Sequence, residues 1–152
     1  MKKLPIFLMG FMASGKSSIG KRLANHLSLQ FVDLDLEIER KEGRTITEIF
    51  HTEGEKYFRE VERVSLREIK SGEKKLIALG GGTPCEEENQ RHIQDIGLSI
   101  YLSLSKDRFI GRLRQNKLKR PLVASLSDEE LKQFVTQKLE ERSAFYERAD
   151  LE

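Results

Sequence analysis

The stretch that decides the fold reads Gly10-Phe11-Met12-Ala13-Ser14-Gly15-Lys16-Ser17. It matches the pattern of a phosphate-binding loop (P-loop): glycine, four free residues, glycine, lysine, and then serine or threonine. The apolar run before it, residues 6–9, suits a buried parallel strand. The residues after it repeat apolar side chains at helical spacing, at Ile19, Leu23, Ala24 and Leu27. Strand, glycine loop and helix therefore come in the order that the motif requires.

A loop of this kind turns backbone N–H groups inward, and the positive end of the following helix dipole adds to them. The loop is therefore predicted to bind a polyphosphate. Lys16 would reach the outer phosphates, and the Ser17 hydroxyl would ligate Mg²⁺. The alternative is an ordinary glycine turn that carries a lysine by chance, but the constrained positions and their flanks favour the P-loop.

The composition indicates one globular domain, residues 1–152, long enough to bury a real core. The 27 basic and 25 acidic residues leave a net charge of +2, which argues against nucleic acid and against a polybasic membrane patch. Cys85 is the only cysteine, so no intrachain disulfide can form.

The N-terminus resembles a secretory signal, because Lys2 and Lys3 precede an apolar run, but the P-loop explains that stretch better. No later apolar run is long enough to cross a bilayer. We expect a cytoplasmic protein.

Two aspartates follow the second predicted strand, residues 30–33, where the chain enters another helix. If the strand continues through them, Asp33 and Asp35 face the same side at the edge where open α/β sheets bind ligands. They could then serve a Mg²⁺ shell and a substrate hydroxyl. The alternative is that either one caps the helix that follows.

The middle of the chain contains two capping-box patterns, Thr45-x-x-Glu48 and Thr52-x-x-Glu55, and each predicts the start of a helix. The second helix should run to about residue 70. On it, Arg59 and Glu62 are three residues apart and can touch. This pair is either a solvated surface bridge or a carboxylate that orients an arginine toward an anionic ligand.

A third strand, residues 76–79, leads into Gly80-Gly81-Gly82. Three glycines at a strand end indicate a sharp turn or a close approach to a ligand, and the two explanations are equally good here. Thr83 then suits a helix N-cap, followed by Pro84 at the first helical position. A fourth strand is predicted over residues 98–104, with Ser105 capping the next helix.

The last part of the chain is rich in cations. Residues 112–120 hold five lysines or arginines and no acid, which suggests a flap over phosphates, although such loops are often simply solvated. Ser127-x-x-Glu130 opens a final long helix, and its apolar stripe contains Arg142. A buried arginine needs an anionic partner. That partner is either a ligand carboxylate or a structural acid such as Glu62. Strands alternating with helices predict an α/β fold with a parallel sheet covered on both faces.

Together these residues resemble the shikimate kinase family over essentially the whole chain. The P-loop alone is shared by many nucleotide-hydrolysing proteins, but the order and spacing of the other motifs are far more specific. The motifs are Gly10 to Ser17 with the following Ser18, Asp33-Leu34-Asp35, Phe58-Arg59-x-x-Glu62, Gly80-Gly81-Gly82, Arg120-Pro121-Leu122, and Arg142-x-x-x-Tyr146-x-x-Ala149.

The resemblance implies a three-layer α/β/α fold like that of nucleoside monophosphate kinases, and ATP-dependent phosphorylation of the 3-hydroxyl of shikimate on the route to chorismate. It implies a substrate-binding region at about residues 34–62, a lid at about 112–126 and a monomer. It also implies the residue roles. On the nucleotide side, the P-loop with Ser18 would hold ATP, Ser17 and Asp33 would serve Mg²⁺, and Arg120 would close over the phosphates. On the substrate side, Asp35 would orient or deprotonate the hydroxyl, and Arg59 and Arg142 would hold the carboxylate. The pocket would be lined by Gly80, Gly81 and Gly82, and its apolar wall would be formed by Phe50 and Phe58.

The chain departs from this family at two places. Ala13 stands where the family usually has glycine, and we expect little effect because the general motif leaves this position free. The sequence stops at Glu152, whereas the family normally continues with a fifth strand, an adenine-contacting loop and a terminal helix. Reduced ATP affinity, low stability and completion by a partner are therefore expectations to test.

Three other functions compete with this interpretation. Another small P-loop kinase, acting on gluconate, could share the loop, the lid and the fold. A GTPase is excluded because Asn116-Lys117-Leu118-Lys119 lacks the final aspartate of its guanine-binding motif. A non-catalytic module that binds nucleotide or shikimate is conceivable, but all of the residues expected to react are present.

Overall fold

The computed structural model describes residues 3–117 and 123–152. Their four strands form one parallel sheet in the order β2-β3-β1-β4. The strands are β1 Ile6–Met9, β2 Gln30–Asp33, β3 Lys75–Ala78 and β4 Leu98–Tyr101. The first two match the expected bounds, the third lies one residue earlier, and the fourth ends before the expected residue 104. Because the strands are parallel, their carboxyl ends lie along one edge of the sheet.

Seven α-helices connect and cover the strands in the described part of the chain. They are α1 Lys16–His26, α2 Leu34–Glu42, α3 Ile46–Glu53, α4 Glu55–Arg67, α5 Glu87–Ile96, α6 Lys106–Gln115 and α7 Asp128–Tyr146, with a short 3₁₀ turn at Thr83–Cys85. None of the helices in these described residues has the length and apolar character needed to cross a bilayer.

Three of the predicted helix starts are confirmed by their caps. Thr45 and Glu48 form a reciprocal capping box at α3, and Ser127 and Glu130 do the same at α7. The Ser105 hydroxyl accepts a hydrogen bond from the backbone N–H of Arg108 at the start of α6. Side-chain oxygens that satisfy these otherwise unpaired N–H groups therefore set the entry points of the three helices.

Two other predicted starts are wrong. Thr52 lies inside α3, where its hydroxyl donates to the carbonyl oxygen of Glu48, and α4 begins only at Glu55, after Gly54. Thr83 does not cap α5, because its hydroxyl is used by Glu62 and the intervening 3₁₀ turn delays the helix to residue 87. The hydroxyl of Thr52 is therefore engaged within the preceding helix, and that of Thr83 is engaged by a tertiary partner, so neither caps the predicted helix.

The sheet is buried on both faces, as the three-layer fold requires. Along β1, Ile6 and Leu8 pack on the face covered by α1, whereas Phe7 and Met9 join the larger core on the opposite face. That larger core also contains apolar residues of α2 to α7, among them Ile38, Leu66, Ile93, Phe109 and Tyr146. The alternation along one strand thus builds two cores and fixes the sheet between them.

The edge strand β4 also pairs with residues near the end of the chain. Leu151 forms a parallel bridge with Ile100, and its backbone exchanges hydrogen bonds with Ser99 and Tyr101. The Asp150 carboxylate accepts hydrogen bonds from the backbone N–H and the hydroxyl of Ser99. The outer edge of β4 is therefore paired at Leu151.

Candidate active site

Two adjoining cavities, of about 660 Å³ and 530 Å³, lie at the carboxyl edge of the sheet. The first, which we call the loop cavity, is bounded by the P-loop from Met12 to Ser18, by Asp33 and by Arg112. The second, the arginine cavity, is bounded by Phe50, Phe58, Arg59, Glu62, Gly82 and Arg142. Five residues form a wall shared by both cavities: Met12, Asp35, Leu36, Gly80 and Gly81. Residues from distant parts of the sequence thus converge on one cleft, as the sequence predicted.

The P-loop wraps around the side chain of its own lysine. Lys16 Nζ lies 2.7 Å from the carbonyl oxygen of Gly10 and 3.0 Å from that of Phe11. Gly10, the first residue of the loop, packs against the backbone of Leu102. An added Cβ would stand 2.7 Å from the backbone oxygen of Leu102, so no larger residue fits. The Lys16 ammonium is consequently held at the floor of the loop cavity.

Ala13 adopts a left-handed backbone conformation, with φ of 64°. This conformation costs a residue with a Cβ about 1–2 kcal/mol relative to its ordinary conformations, whereas glycine adopts it freely. The conformation gives a physical reason for glycine at this position. The general motif leaves this position free, so the conformation could not be predicted from the motif.

The two residues expected to serve Mg²⁺ are in contact. Ser17 Oγ donates to Asp33 Oδ2 across 2.8 Å, and Asp33 Oδ1 accepts a hydrogen bond from the backbone N–H of Leu36. Asp33 therefore caps α2, which confirms the capping alternative, and it faces Ser17 at the same time. Its role beside Mg²⁺ stays a prediction. No group of three or more candidate metal-binding side chains occurs in the described ranges. A hydroxyl and one carboxylate fit Mg²⁺, which usually takes few protein ligands and completes its shell with phosphates and waters.

Asp35 lies in the first turn of α2 and not on a continued strand, which corrects the expected geometry. Its Oδ1 is buried and has no hydrogen-bond partner among the residues that the structure describes. The pKa of this carboxyl is raised from 3.8 to about 6. Burial is the main cause, the nearby carboxylates of Glu62 and Asp33 add to it, and the charges of Lys16 and Arg59 oppose it. A carboxylate poised in this way, facing both cavities, can accept a proton near neutral pH.

Arg59 and Arg142 enter the arginine cavity from α4 and α7. Arg59 Nη1 pairs with Glu62 Oε1 at 3.0 Å, and the second oxygen of Glu62 bonds to Thr83. The open alternative that Glu62 pairs with Arg142 is therefore wrong. Arg142 is only 9% exposed and lies over the ring of Phe11, 5.9 Å from its centroid. Within the described residues no carboxylate lies within 4 Å of its guanidinium.

Each of the three consecutive glycines makes room for a functional side chain. A Cβ on Gly80 would stand 2.9 Å from Asp35 Oδ1, and one on Gly81 would stand 3.0 Å from Arg142 Nη1. On Gly82 it would stand 2.7 Å from both terminal nitrogens of Arg59. None of these glycines has a positive φ. The backbone turns here, with the N–H of Thr83 donating to the carbonyl oxygen of Gly80, but no positive φ makes glycine necessary for that turn. The close approach of the three side chains therefore gives the reason for the triple glycine.

The remaining expected residues also lie in the cleft or fall outside the described ranges. Phe50 and Phe58 form one wall of the arginine cavity, with ring centroids 4.9 Å apart. Ser14, Gly15 and Ser18 line the loop cavity. Arg120, and with it the central part of the expected lid, lies outside the described residues.

Two side-chain contacts at the cleft or directly behind it were not predicted from the sequence. Arg112 of α6 donates to the carbonyl oxygen of Ala13 across 3.0 Å and so reaches over the P-loop. Tyr146 of α7 donates its hydroxyl to the carbonyl oxygen of Gly81. Arg112 belongs to the basic stretch of residues 112–120, and Tyr146 belongs to the motif of the last helix. Only the tertiary contact distinguishes them from their neighbours.

A P-loop beside a second cavity that holds arginines and a buried carboxylate defines a small-molecule kinase of the P-loop class. Comparison with known proteins agrees. The family model described as shikimate kinase matches residues 12–152. A shikimate kinase of Phocaeicola vulgatus is 41% identical over 144 residues, which cover 95% of this chain and 82% of the relative. The chain belongs to the shikimate kinase family.

Solved structures give the same result. A shikimate kinase of Bacteroides thetaiotaomicron superposes with a TM-score of 0.92 at 38% identity, covering 98% of this chain and 85% of that one. The Acinetobacter baumannii enzyme, solved in complex with shikimate, gives a TM-score of 0.87 at 35% identity, covering 96% and 80%. A gluconokinase of Sinorhizobium meliloti shares only the fold, at 16% identity and a TM-score of 0.50.

Proposed function

We propose that this chain transfers the γ-phosphoryl group of ATP to the 3-hydroxyl of shikimate across the wall that separates the loop cavity from the arginine cavity. Membership of the shikimate kinase family makes the chain a kinase with ATP and shikimate as its substrates. The assignment of roles to residues is the proposal. It is carried above all by Arg142, a buried cation with no carboxylate near it in the described part of the chain.

ATP would bind in the loop cavity. A P-loop turns backbone N–H groups toward its ligand, and together with the amino end of α1 they suit the phosphates of ATP. The Lys16 ammonium lies where the outer phosphates would arrive. Ser17 and Asp33 would hold Mg²⁺, which would neutralise charge on the phosphate oxygens during transfer. Arg112, over Ala13, adds a second cation at the mouth of this cavity.

Shikimate would bind in the arginine cavity with its carboxylate between Arg59 and Arg142. A carboxylate offers two oxygens that match the paired donors of a guanidinium, and partial burial strengthens the contact. The rings of Phe50 and Phe58 suit the apolar part of the substrate ring. This arrangement would leave the hydroxyl side of shikimate facing Asp35 and the P-loop.

Asp35 would orient the 3-hydroxyl and accept its proton as the new bond to phosphorus forms. Its raised pKa, about 6, places the carboxylate in the ionised form at neutral pH while keeping it a useful base. Positioning of the hydroxyl against the γ-phosphorus and the surrounding cations would provide most of the rate enhancement.

Several further assignments complete the proposal. Arg120 would close over the phosphates as part of a lid. The chain would act as a monomer, as one domain, in the cytoplasm where ATP is available.

One assay separates this function from its rivals. Coupled measurement of ADP release with ATP and Mg²⁺ should show turnover with shikimate and background rates with gluconate or with no acceptor. Turnover with gluconate alone would favour the other small kinase. Shikimate binding measured by calorimetry without any turnover would favour a non-catalytic module.

A further inference from the structure

Thr83 is fully buried behind the arginine cavity, where no direct contact with a substrate is available to it. Its hydroxyl donates to Glu62 Oε2 across 2.8 Å. Glu62 is itself 1% exposed, and its other oxygen accepts a hydrogen bond from Arg59 Nη1 at 3.0 Å. One buried carboxylate therefore connects the hydroxyl of Thr83 to the guanidinium of Arg59.

The Glu62 carboxylate depends on both of its partners. Burial raises its pKa, which favours the neutral acid, whereas the charge of Arg59 and the hydrogen bonds from Thr83 and Arg59 oppose this effect. An oxygen left without a donor in such a site carries the cost of an unsatisfied buried acceptor. With Thr83 in place, each oxygen of Glu62 has one donor, so the carboxylate has one preferred orientation.

The position of Thr83 is fixed by contacts of its own backbone. Its N–H donates to the carbonyl oxygen of Gly80 across 3.1 Å, and its carbonyl oxygen accepts a hydrogen bond from Asn89 Nδ2 at 2.9 Å. Asn89 is 1% exposed and lies in α5. The hydroxyl is thus held by two separate elements before any ligand binds.

We propose that Thr83 is a positioning residue for the substrate carboxylate, acting through Glu62 to hold Arg59 in its binding geometry. This inference rests on the proposed role of Arg59 in holding shikimate. The structure places the hydroxyl of Thr83, the carboxylate of Glu62 and the guanidinium of Arg59 in one continuous chain of contacts that ends in the arginine cavity.

The test compares Thr83→Val, which keeps the shape of the side chain and removes the hydroxyl, with Thr83→Ser, which keeps the hydroxyl. We expect Thr83→Val to raise the KM for shikimate roughly fivefold, the factor that the loss of one hydrogen bond commonly produces. The kcat and the KM for ATP should stay near those of the parent protein. Thr83→Ser should restore most of the affinity for shikimate.

Thermal unfolding of each variant controls for the fold, and Thr83→Ala removes the hydroxyl together with the γ-methyl group. Equal increases of KM in the Val and Ser variants would overturn the inference in favour of simple packing. An unchanged KM in Thr83→Val, together with a raised KM in Arg59→Ala, would overturn the inference and leave the proposed function standing. An unchanged KM in Arg59→Ala would instead overturn the proposed carboxylate site.

Discussion

Ser17 and Asp33 place two oxygens side by side, with 2.8 Å between the hydroxyl and the carboxylate, where α1 begins and β2 ends. The same aspartate also accepts a hydrogen bond from the backbone N–H of Leu36. Asp33 thus has a folding role through one oxygen and faces the loop cavity through the other. A substitution that keeps the cap but removes the charge can separate these two roles.

Asp33→Asn is such a substitution, because asparagine caps helices about as well as aspartate. We expect the Mg²⁺ concentration for half-maximal activity to rise roughly tenfold, as for other changes beside a bound metal. Thermal unfolding should change little. Asp95→Asn, at an exposed position of α5, is the matched control. An unchanged Mg²⁺ dependence would exclude Asp33 from the metal site.

Lys16→Met should nearly abolish turnover. The ammonium sits on the floor of the loop cavity, and the loss of a preorganised charge at a transferring phosphoryl group lowers kcat by roughly 10²–10³-fold. Steady-state kinetics measure this, and circular dichroism checks the fold, since Lys16 also bonds to the loop. Lys21→Met, at an exposed site on α1, should retain full activity. Substantial turnover by Lys16→Met would contradict the assignment.

Asp35 predicts a pH dependence. If Asp35 is the base, as proposed, its pKa of about 6 means that it is protonated and inactive below that pH, so kcat/KM should fall as the pH drops through this value. Asp35→Asn should lower kcat by roughly 10²–10⁴-fold and remove this acidic limb. A pH profile of the variant with the same limb would show that another group is responsible.

The same substitution should raise stability at neutral pH. The folded-state pKa of Asp35 lies above the ordinary value of 3.8, so the folded state binds this proton more tightly than the unfolded state does. The resulting stabilisation is complete below about 3.8 and is lost as the pH rises through about 6. Asp35→Asn avoids this loss and should be more stable by about 1–3 kcal/mol at neutral pH, with a smaller difference in acid. Chemical denaturation at both pH values measures it.

Arg142→Ala should mainly weaken shikimate binding. The loss of a charge-assisted contact typically costs about 1.5–3 kcal/mol, which raises the KM for shikimate by roughly 10- to 100-fold. The KM for ATP should change little. Lys132→Ala, at an exposed position on the same helix, controls for the removal of a cation from α7. If the KM for shikimate were untouched in Arg142→Ala, the arginine would have a structural role only.

Gly82→Ala tests the close approach of the triple glycine to its neighbours. The new Cβ would stand 2.7 Å from both terminal nitrogens of Arg59, which must therefore shift away from its position beside Glu62. We expect the KM for shikimate to rise roughly tenfold, the effect of losing about one charged hydrogen bond, with kcat nearly unchanged. Gly111→Ala, where a Cβ meets no atom of the described residues within 4 Å, should leave both constants unchanged.

Much of this architecture could be predicted from local sequence. The P-loop, the first three strands and the capping boxes at Thr45 and Ser127 depend on residues within a few positions of one another, and they were predicted to within one residue. The convergence of the motifs on one sheet edge follows from parallel strands. These features have in common that short-range hydrogen bonding and periodic burial determine them.

The hydrogen-bond and ion-pair partners of the polar side chains could not be predicted from local sequence. Glu62 was a possible partner for either arginine, and only the packing of α4 against the turn after β3 gives it to Arg59 and Thr83. The left-handed conformation of Ala13 and the reach of Arg112 over it depend equally on tertiary contacts. When a side chain has several possible hydrogen-bond partners, the fold decides which partner it contacts, and its neighbours in sequence do not.

The wall shared by the two cavities, built around Met12, Asp35 and Gly81, has a consequence for inhibitor design. Because only side chains and glycine backbone separate the two compartments, one tethered compound can carry a polyphosphate head at one end and a carboxylated ring at the other. Its second end would bind at the high effective concentration that linkage provides. Such a bisubstrate ligand would gain its selectivity from the pairing of the two sites, which proteins that share only the glycine loop do not offer.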